Sequence, residues 1–246
     1  MTVLRFGMIL PSSNTVVEPV SMAMASDLPD VSVHFSRFAL TAVQVDNPAA
    51  AYYDSGALLG AAMLLADARC HVITWNGSAG GLVGFERDRQ LCREIEDTTG
   101  IPATTASLSL LEQFTRSRVR RFAMVTLNTA EMNRTIAGNF AREGFECIGS
   151  TNRDDITDNF AMAQVPPAEI AASATACAAA CVESASGADA LIIYGTNTRG
   201  APVARALEIK LGIPVYDSVA WGVFGALLRS GADIRPLTRW AAHAPD

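Results

Sequence analysis

The chain has 246 residues, half of them hydrophobic and 18% charged, which is enough for one large α/β domain or two of about 100 residues and too apolar for a disordered chain. A formal net charge of −6 with no basic stripe argues against a nucleic-acid partner. The single lysine, Lys210, leaves Schiff-base and P-loop chemistry little to draw on. In chain order, short apolar runs predict strands at Leu4–Leu10, Val31–Phe38, His71–Trp75, Ala103–Thr105, Arg121–Thr126, Phe145–Ile148, Ala190–Tyr194 and Val215–Asp217. Helical patterns fall between them, at Thr15–Ser26, Pro48–Ala68, Gly84–Thr98, Leu108–Ser117, Thr129–Glu143, Pro167–Ser186, Pro202–Leu211 and Val219–Ser230. Strand and helix in alternation imply parallel sheets with right-handed crossovers.

The plan repeats. Arg5-Phe6-Gly7-Met8-Ile9 returns as Arg121-Phe122-Ala123-Met124-Val125, Trp75-Asn76-Gly77-Ser78 as Ile193-Tyr194-Gly195-Thr196, and Gly100-Ile101-Pro102 as Gly212-Ile213-Pro214. The offsets are 116, 118 and 112 residues. Near-constant offsets predict an internal duplication: two doubly wound, Rossmann-like halves about a pseudo-twofold axis, residues 1–117 and 118–246, with a C-terminal tail that can return to the first half.

The remaining composition narrows the chemistry. Five scattered cysteines (Cys70, Cys92, Cys147, Cys177, Cys181) form no C-x-x-C pair and predict reduced thiols in a cytoplasmic protein. Cys177 and Cys181 have the spacing of a shared helix face. The histidines His34, His71 and His243 lie far apart, so neither a zinc site nor another metal or cofactor is expected. No signal peptide is read at the start, and the longest apolar run, Ala57–Ala66, is about half the ~20 residues of a membrane helix. No membrane partner is expected.

Ligands of open parallel sheets bind beyond the carboxyl ends of the strands. Four turns fall there: Pro11-Ser12-Ser13-Asn14-Thr15, Asn76-Gly77-Ser78-Ala79-Gly80-Gly81, Leu127-Asn128-Thr129 and Gly195-Thr196-Asn197-Thr198-Arg199-Gly200. Each carries small hydroxyl or amide residues before a helix. Such residues serve as helix caps, but their recurrence in both halves predicts a shared cleft, where helix N-termini offer N–H groups and a positive dipole end to a carboxylate. The glycine-rich turn matches neither nucleotide fingerprint. Asp46, Glu86, Arg87 and Asp217 are candidate charges best read as loop or helix-face residues, Arg199 as the partner of a distal carboxylate, and Tyr52, Tyr53 and Trp75 as packing or cleft wall.

Pro11-Ser12-Ser13-Asn14-Thr15 with Glu18-Pro19 resembles the opening of maleate cis-trans isomerases, which sit with arylmalonate decarboxylases in the aspartate/glutamate racemase superfamily. Ile193 to Arg199 and Leu211-Gly212-Ile213-Pro214-Val215 are similar to the same group, so the resemblance spans nearly the whole chain. It implies a cleft that cradles a small carboxylate-like substrate, and a homo-oligomer. The superfamily's two catalytic cysteines align with Gly77 and Gly195, and a tyrosine of maleate isomerases with Asn128. The resemblance therefore implies a maleate isomerase-like enzyme without its thiols. Asn14, Ser78, Asn128 and Thr196 are the candidate catalytic residues, and Ser12, Ser13, Gly77, Ala79, Gly195, Asn197 and Arg199 the candidate substrate-binding ones. A cysteine-independent isomerase or decarboxylase (lyase) stays open, as does a hydrolase using water activated by Asp217 or Glu18. The alternative is an inactive carboxylate-binding protein.

Overall fold

A computed structural model describes residues 3–40, 51–156, 158–182 and 187–240. Asp46 and His243 lie outside the described residues, as do the first three positions of the helix predicted from Pro48 and the last four of the helix predicted to end at Ser186.

Among the described residues eight strands form two four-stranded parallel sheets. β1 (Leu4–Pro11), β2 (Val31–Phe38), β3 (Val72–Trp75) and β4 (Ala103–Thr105) take the order β2-β1-β3-β4. β5 (Arg121–Val125), β6 (Glu146–Ser150), β7 (Ala190–Ile193) and β8 (Val215–Asp217) repeat it as β6-β5-β7-β8. Register is equivalent too: Phe6 pairs with Val72 and Phe122 with Ala190. The central strands β3 and β7 are buried on both faces, as strands inside a helix-covered parallel sheet are; β7 is apolar throughout, and β3 carries one buried polar residue, Thr74.

The helices among the described residues are α1 (Val17–Ala25), α2 (Ser55–Asp67), α3 (Ala79–Val83), α4 (Phe85–Thr99), α5 (Ala106–Arg116), α6 (Ala130–Arg142), α7 (Asn159–Gln164), α8 (Pro167–Val182), α9 (Ala201–Leu211) and α10 (Ser218–Ser230). Two of them, α3 and α7, fall where the sequence predicts none. α3 contains Gly80 and Gly81, poor helix formers, and is held by a hydrogen bond from the Gly81 N–H to the Tyr194 hydroxyl of the other half. α7 spans only six residues, and its start is capped by Asp158, whose side chain accepts from the Ala161 N–H at 2.9 Å.

The halves exchange their last helices. Phe114 of α5 packs against Phe122, Phe145 and Tyr216 of the second half, with ring centroids 5.3–5.7 Å apart. α10 in return packs on α1, β3, β4 and α5. Its residues from Ser218 to Leu227 are all buried, which fits a helix that is apolar nearly all round. After α10, Arg239 and the Trp240 indole N–H both reach the Asp27 carboxylate, tying the end of the described chain to the first half. One apolar core therefore runs through both sheets and fixes the carboxyl ends of their strands in a common cleft.

Candidate functional site

A cavity opens where the carboxyl ends of β1, β3, β5 and β7 meet. Counting the open space at its mouth it spans about 690 Å³. The turns after all four strands line it: Pro11 and Asn14, Gly77 to Ala79, Leu127 and Asn128, and Gly195 to Thr198. Leu40, Tyr52, Leu82, Met132, Ile136 and Met162 supply an apolar wall.

Asn14 joins the two halves. Its Oδ1 accepts from the Val16 and Val17 N–H groups at 2.9 Å, capping α1, while its amide donates to the Thr196 carbonyl at 2.9 Å. Asn197 answers from the other side: its Oδ1 accepts from the Thr15 N–H at 3.0 Å and its amide donates to the Asn159 carbonyl. Asn14 is thus both a cap and a cleft residue. These bonds occupy the amides, but leave the hydroxyls of Ser78, Thr196 and Thr198 without a hydrogen bond to any described residue. The N–H groups of Ser78, Ala79, Thr196 and Asn197 likewise find no acceptor among the described residues.

The turn after β3 is clamped from the second half. The Tyr194 hydroxyl donates to the Ser78 carbonyl at 2.8 Å, accepts from the Gly81 N–H at 2.9 Å and lies 3.1 Å from Ser107 Oγ. Burial pushes its pKa further above the ordinary tyrosine value, so the hydroxyl stays protonated and can make this set of bonds.

Both turn glycines are required as glycines. A Cβ on Gly77 would lie 2.2 Å from Cζ2 of Trp75. Gly195 has φ +142°, and a Cβ there would lie 2.9 Å from Thr198 Oγ1.

Among the described residues no aspartate, glutamate, lysine, arginine, histidine or cysteine lines the cavity. The ionisable groups among its described lining residues are Tyr194 and Tyr52, the latter pushed up to about 12 by burial. The cysteines lie elsewhere in the fold; burial raises the Cys92 and Cys177 thiols to about 12 and Cys147 to about 11. Among the described residues no cluster of three or more His, Cys, Asp or Glu side chains suits a metal, and no helix is long and apolar enough to cross a membrane.

Of the residues singled out from the sequence, Asn14, Gly77, Ser78, Ala79, Asn128, Gly195, Thr196 and Asn197 line this cavity. Ser12, Ser13 and Arg199 do not line it. Ser12 accepts from the Leu40 N–H at 3.1 Å, and Ser13 donates to the Leu40 carbonyl at 2.6 Å while accepting from the Asn159 amide at 2.8 Å, so both position wall residues. Arg199 is exposed, one step past Thr198 on the other side of the turn. Neither carboxylate considered for activating water reaches the cavity: Glu18 pairs with Arg37 at 3.0 Å, and Asp217 caps α10 through the Val219 and Ala220 N–H groups. Glu86 pairs with Arg93, Arg87 with Glu94, and Tyr53 donates to the buried Asp88. Thr198, Asn159 and most of the apolar wall are lining residues that the sequence pattern does not single out. For Thr198 the available signal is its place in a polar turn, three residues after Gly195.

The fold and cleft define a class: α/β proteins of two related four-stranded halves with a cavity between the carboxyl ends of their sheets. The chain belongs to the arylmalonate decarboxylase family, whose sequence pattern matches residues 6–239. No curated protein matches it in sequence. Among solved structures it is similar to the Nocardia farcinica maleate cis-trans isomerase, a cysteine-to-serine variant with a covalently bound succinylcysteine intermediate, at TM-score 0.86 and 20% identity over 99% of each chain. It is also similar to a doubly substituted arylmalonate decarboxylase in its liganded form, at TM-score 0.83 and 22% identity over 99% of each chain. A maleate isomerase variant from Pseudomonas putida S16 with maleate gives 0.79 and 20%, over 94% of this chain and 93% of that one.

Proposed function

We propose that the protein is an enzyme acting on a small carboxylate or related carbonyl compound, by a decarboxylation or isomerisation that uses no thiol. The observation that carries this reading is the makeup of the cavity: unpaired hydroxyls and turn N–H groups from both halves, and no charged side chain among its described lining residues. Such donors suit a carboxylate, and they suit still better the oxyanion that forms when the bond to a departing CO₂ breaks and its electron pair moves onto the remaining carboxylate. Membership of the arylmalonate decarboxylase family supports the same chemistry. The Nocardia isomerase is caught with a succinylated cysteine; here no described cysteine lines the cavity, so covalent addition by a thiol has no group to perform it.

The test incubates the protein with phenylmalonate, maleate and a panel of lactones and cyclic imides in deuterium oxide, followed by proton NMR. Loss of CO₂ or conversion of maleate to fumarate is the expected result. No change in any compound sinks the enzyme reading for that panel. One observation favours a second reading, an inactive carboxylate-binding protein: no described group on the wall titrates near neutrality. Calorimetric binding of phenylmalonate or maleate without turnover would select it.

A further inference from the structure

We propose that the Thr198 hydroxyl is a ligand-contacting hydrogen-bond donor on the second-half wall of the cavity. The proposal rests on the cavity's being the ligand site and names a residue beyond those the turns predict. Thr198 is 1% exposed and lines the cavity, yet its hydroxyl makes no hydrogen bond to any described residue. A hydroxyl on the wall of a cavity with no partner inside the protein is free to donate to a ligand that enters there.

Local geometry places the group. The Thr198 N–H donates to the Gly195 carbonyl at 3.2 Å, closing a turn that folds the Thr198 side chain back over the Gly195 Cα. The space where a Gly195 side chain would begin is taken by Thr198 Oγ1, 2.9 Å from that point, and the φ of +142° at Gly195 is one that a residue with a side chain rarely adopts. Two other polar groups of the turn are engaged, the Thr196 carbonyl by Asn14 and the Asn197 side chain by Thr15 and Asn159, while the Thr196 and Asn197 N–H groups stay open beside the hydroxyls. The hydroxyls of Thr196 and Thr198 remain for a ligand.

The same surroundings fix what the hydroxyl does. A hydroxyl becomes a nucleophile only beside a base, and no carboxylate or histidine lines the cavity among the described residues. Thr198 therefore donates to an anionic oxygen and forms no covalent bond to the ligand.

Thr198→Cys decides the placement without a known substrate. The folded variant is treated with iodoacetate and the modified position read by peptide mapping, with a urea-unfolded sample as control. Alkylation of position 198 in the folded protein is expected, and alkylation only after unfolding overturns the proposal. Slowing of that alkylation by phenylmalonate or maleate supports the carboxylate reading of the cleft; alkylation that neither slows leaves Thr198 on the wall and counts against that reading alone. Binding then tests the donor role. Thr198→Val is expected to weaken phenylmalonate or maleate binding about tenfold or more while Thr198→Ser retains it. Equal binding by both variants overturns donation.

Discussion

The indole of Trp75 lies where a side chain on Gly77 would start, with Cζ2 only 2.2 Å from the place of a Cβ. Trp75 is fully buried at the end of β3 and packs edge-on against Phe38 at 5.2 Å, so it has nowhere to retreat. Gly77→Ala is therefore expected to destabilise the fold by about 1–3 kcal/mol, the usual cost of overpacking. Urea unfolding measures this; a stability equal to the parent's would mean that the indole moves aside freely. The same contact makes Gly77→Cys a poor way to place a thiol at this turn.

Tyr194 is the second-half residue on which the first-half turn depends. Tyr194→Phe removes the hydroxyl and leaves the Gly81 N–H and the Ser78 carbonyl with weaker partners inside the protein. A loss of about 1–3 kcal/mol is expected in urea unfolding. Ligand binding should weaken alongside it, since the turn that presents Ser78 is no longer fixed. A variant with unchanged stability and binding would show that α3 and its turn hold themselves.

The repeated strands and the four polar turns are legible in the sequence because they depend on local pattern: apolar runs of strand length, and small polar residues at their carboxyl ends. What the sequence hides depends on distant partners. α3 forms over two glycines because Tyr194 satisfies it from the other half. The exchange of α5 and α10 is tertiary, though the nearly unbroken apolar sequence from Val219 to Leu228 signals a helix covered on all sides. Adjacency alone points Arg199 toward the ligand. The turn closed between Gly195 and Thr198 directs Thr198 inward and leaves Arg199 exposed, and that follows from backbone geometry that composition does not carry.

Ser78 and Thr196 occupy matching turns of the two halves and both line the cavity, each with a hydroxyl that bonds no described residue. If both stabilise the developing oxyanion, Ser78→Ala and Thr196→Ala should each lower kcat about 100- to 1000-fold on whichever panel compound is turned over, with a smaller effect on KM. Parental kinetics in both variants would place the reacting atoms elsewhere.

Asp217 makes stability depend on pH. Its carboxyl is buried at the end of β8, and desolvation pushes its pKa up to about 7 despite hydrogen bonds from the Ala220, Val219 and Ala201 N–H groups. An acid whose pKa is raised on folding binds more protons in the folded state than in the unfolded one. Its contribution is therefore fully present below the unfolded value, near 3.8, and is lost as pH rises through about 7. Asp217→Asn keeps an oxygen that can accept from the Val219 and Ala220 N–H groups and removes the titration. Between pH 4.5 and pH 8 the parent should lose about 3 kcal/mol relative to this variant, because the folded carboxyl keeps its proton over roughly 2.4 pH units of that interval in which the unfolded one has lost it, at about 1.36 kcal/mol each. Urea unfolding of both proteins at the two pH values reads the difference. Parallel pH profiles would mean that the carboxylate is accommodated by the N–H groups around it, and that its burial carries no penalty.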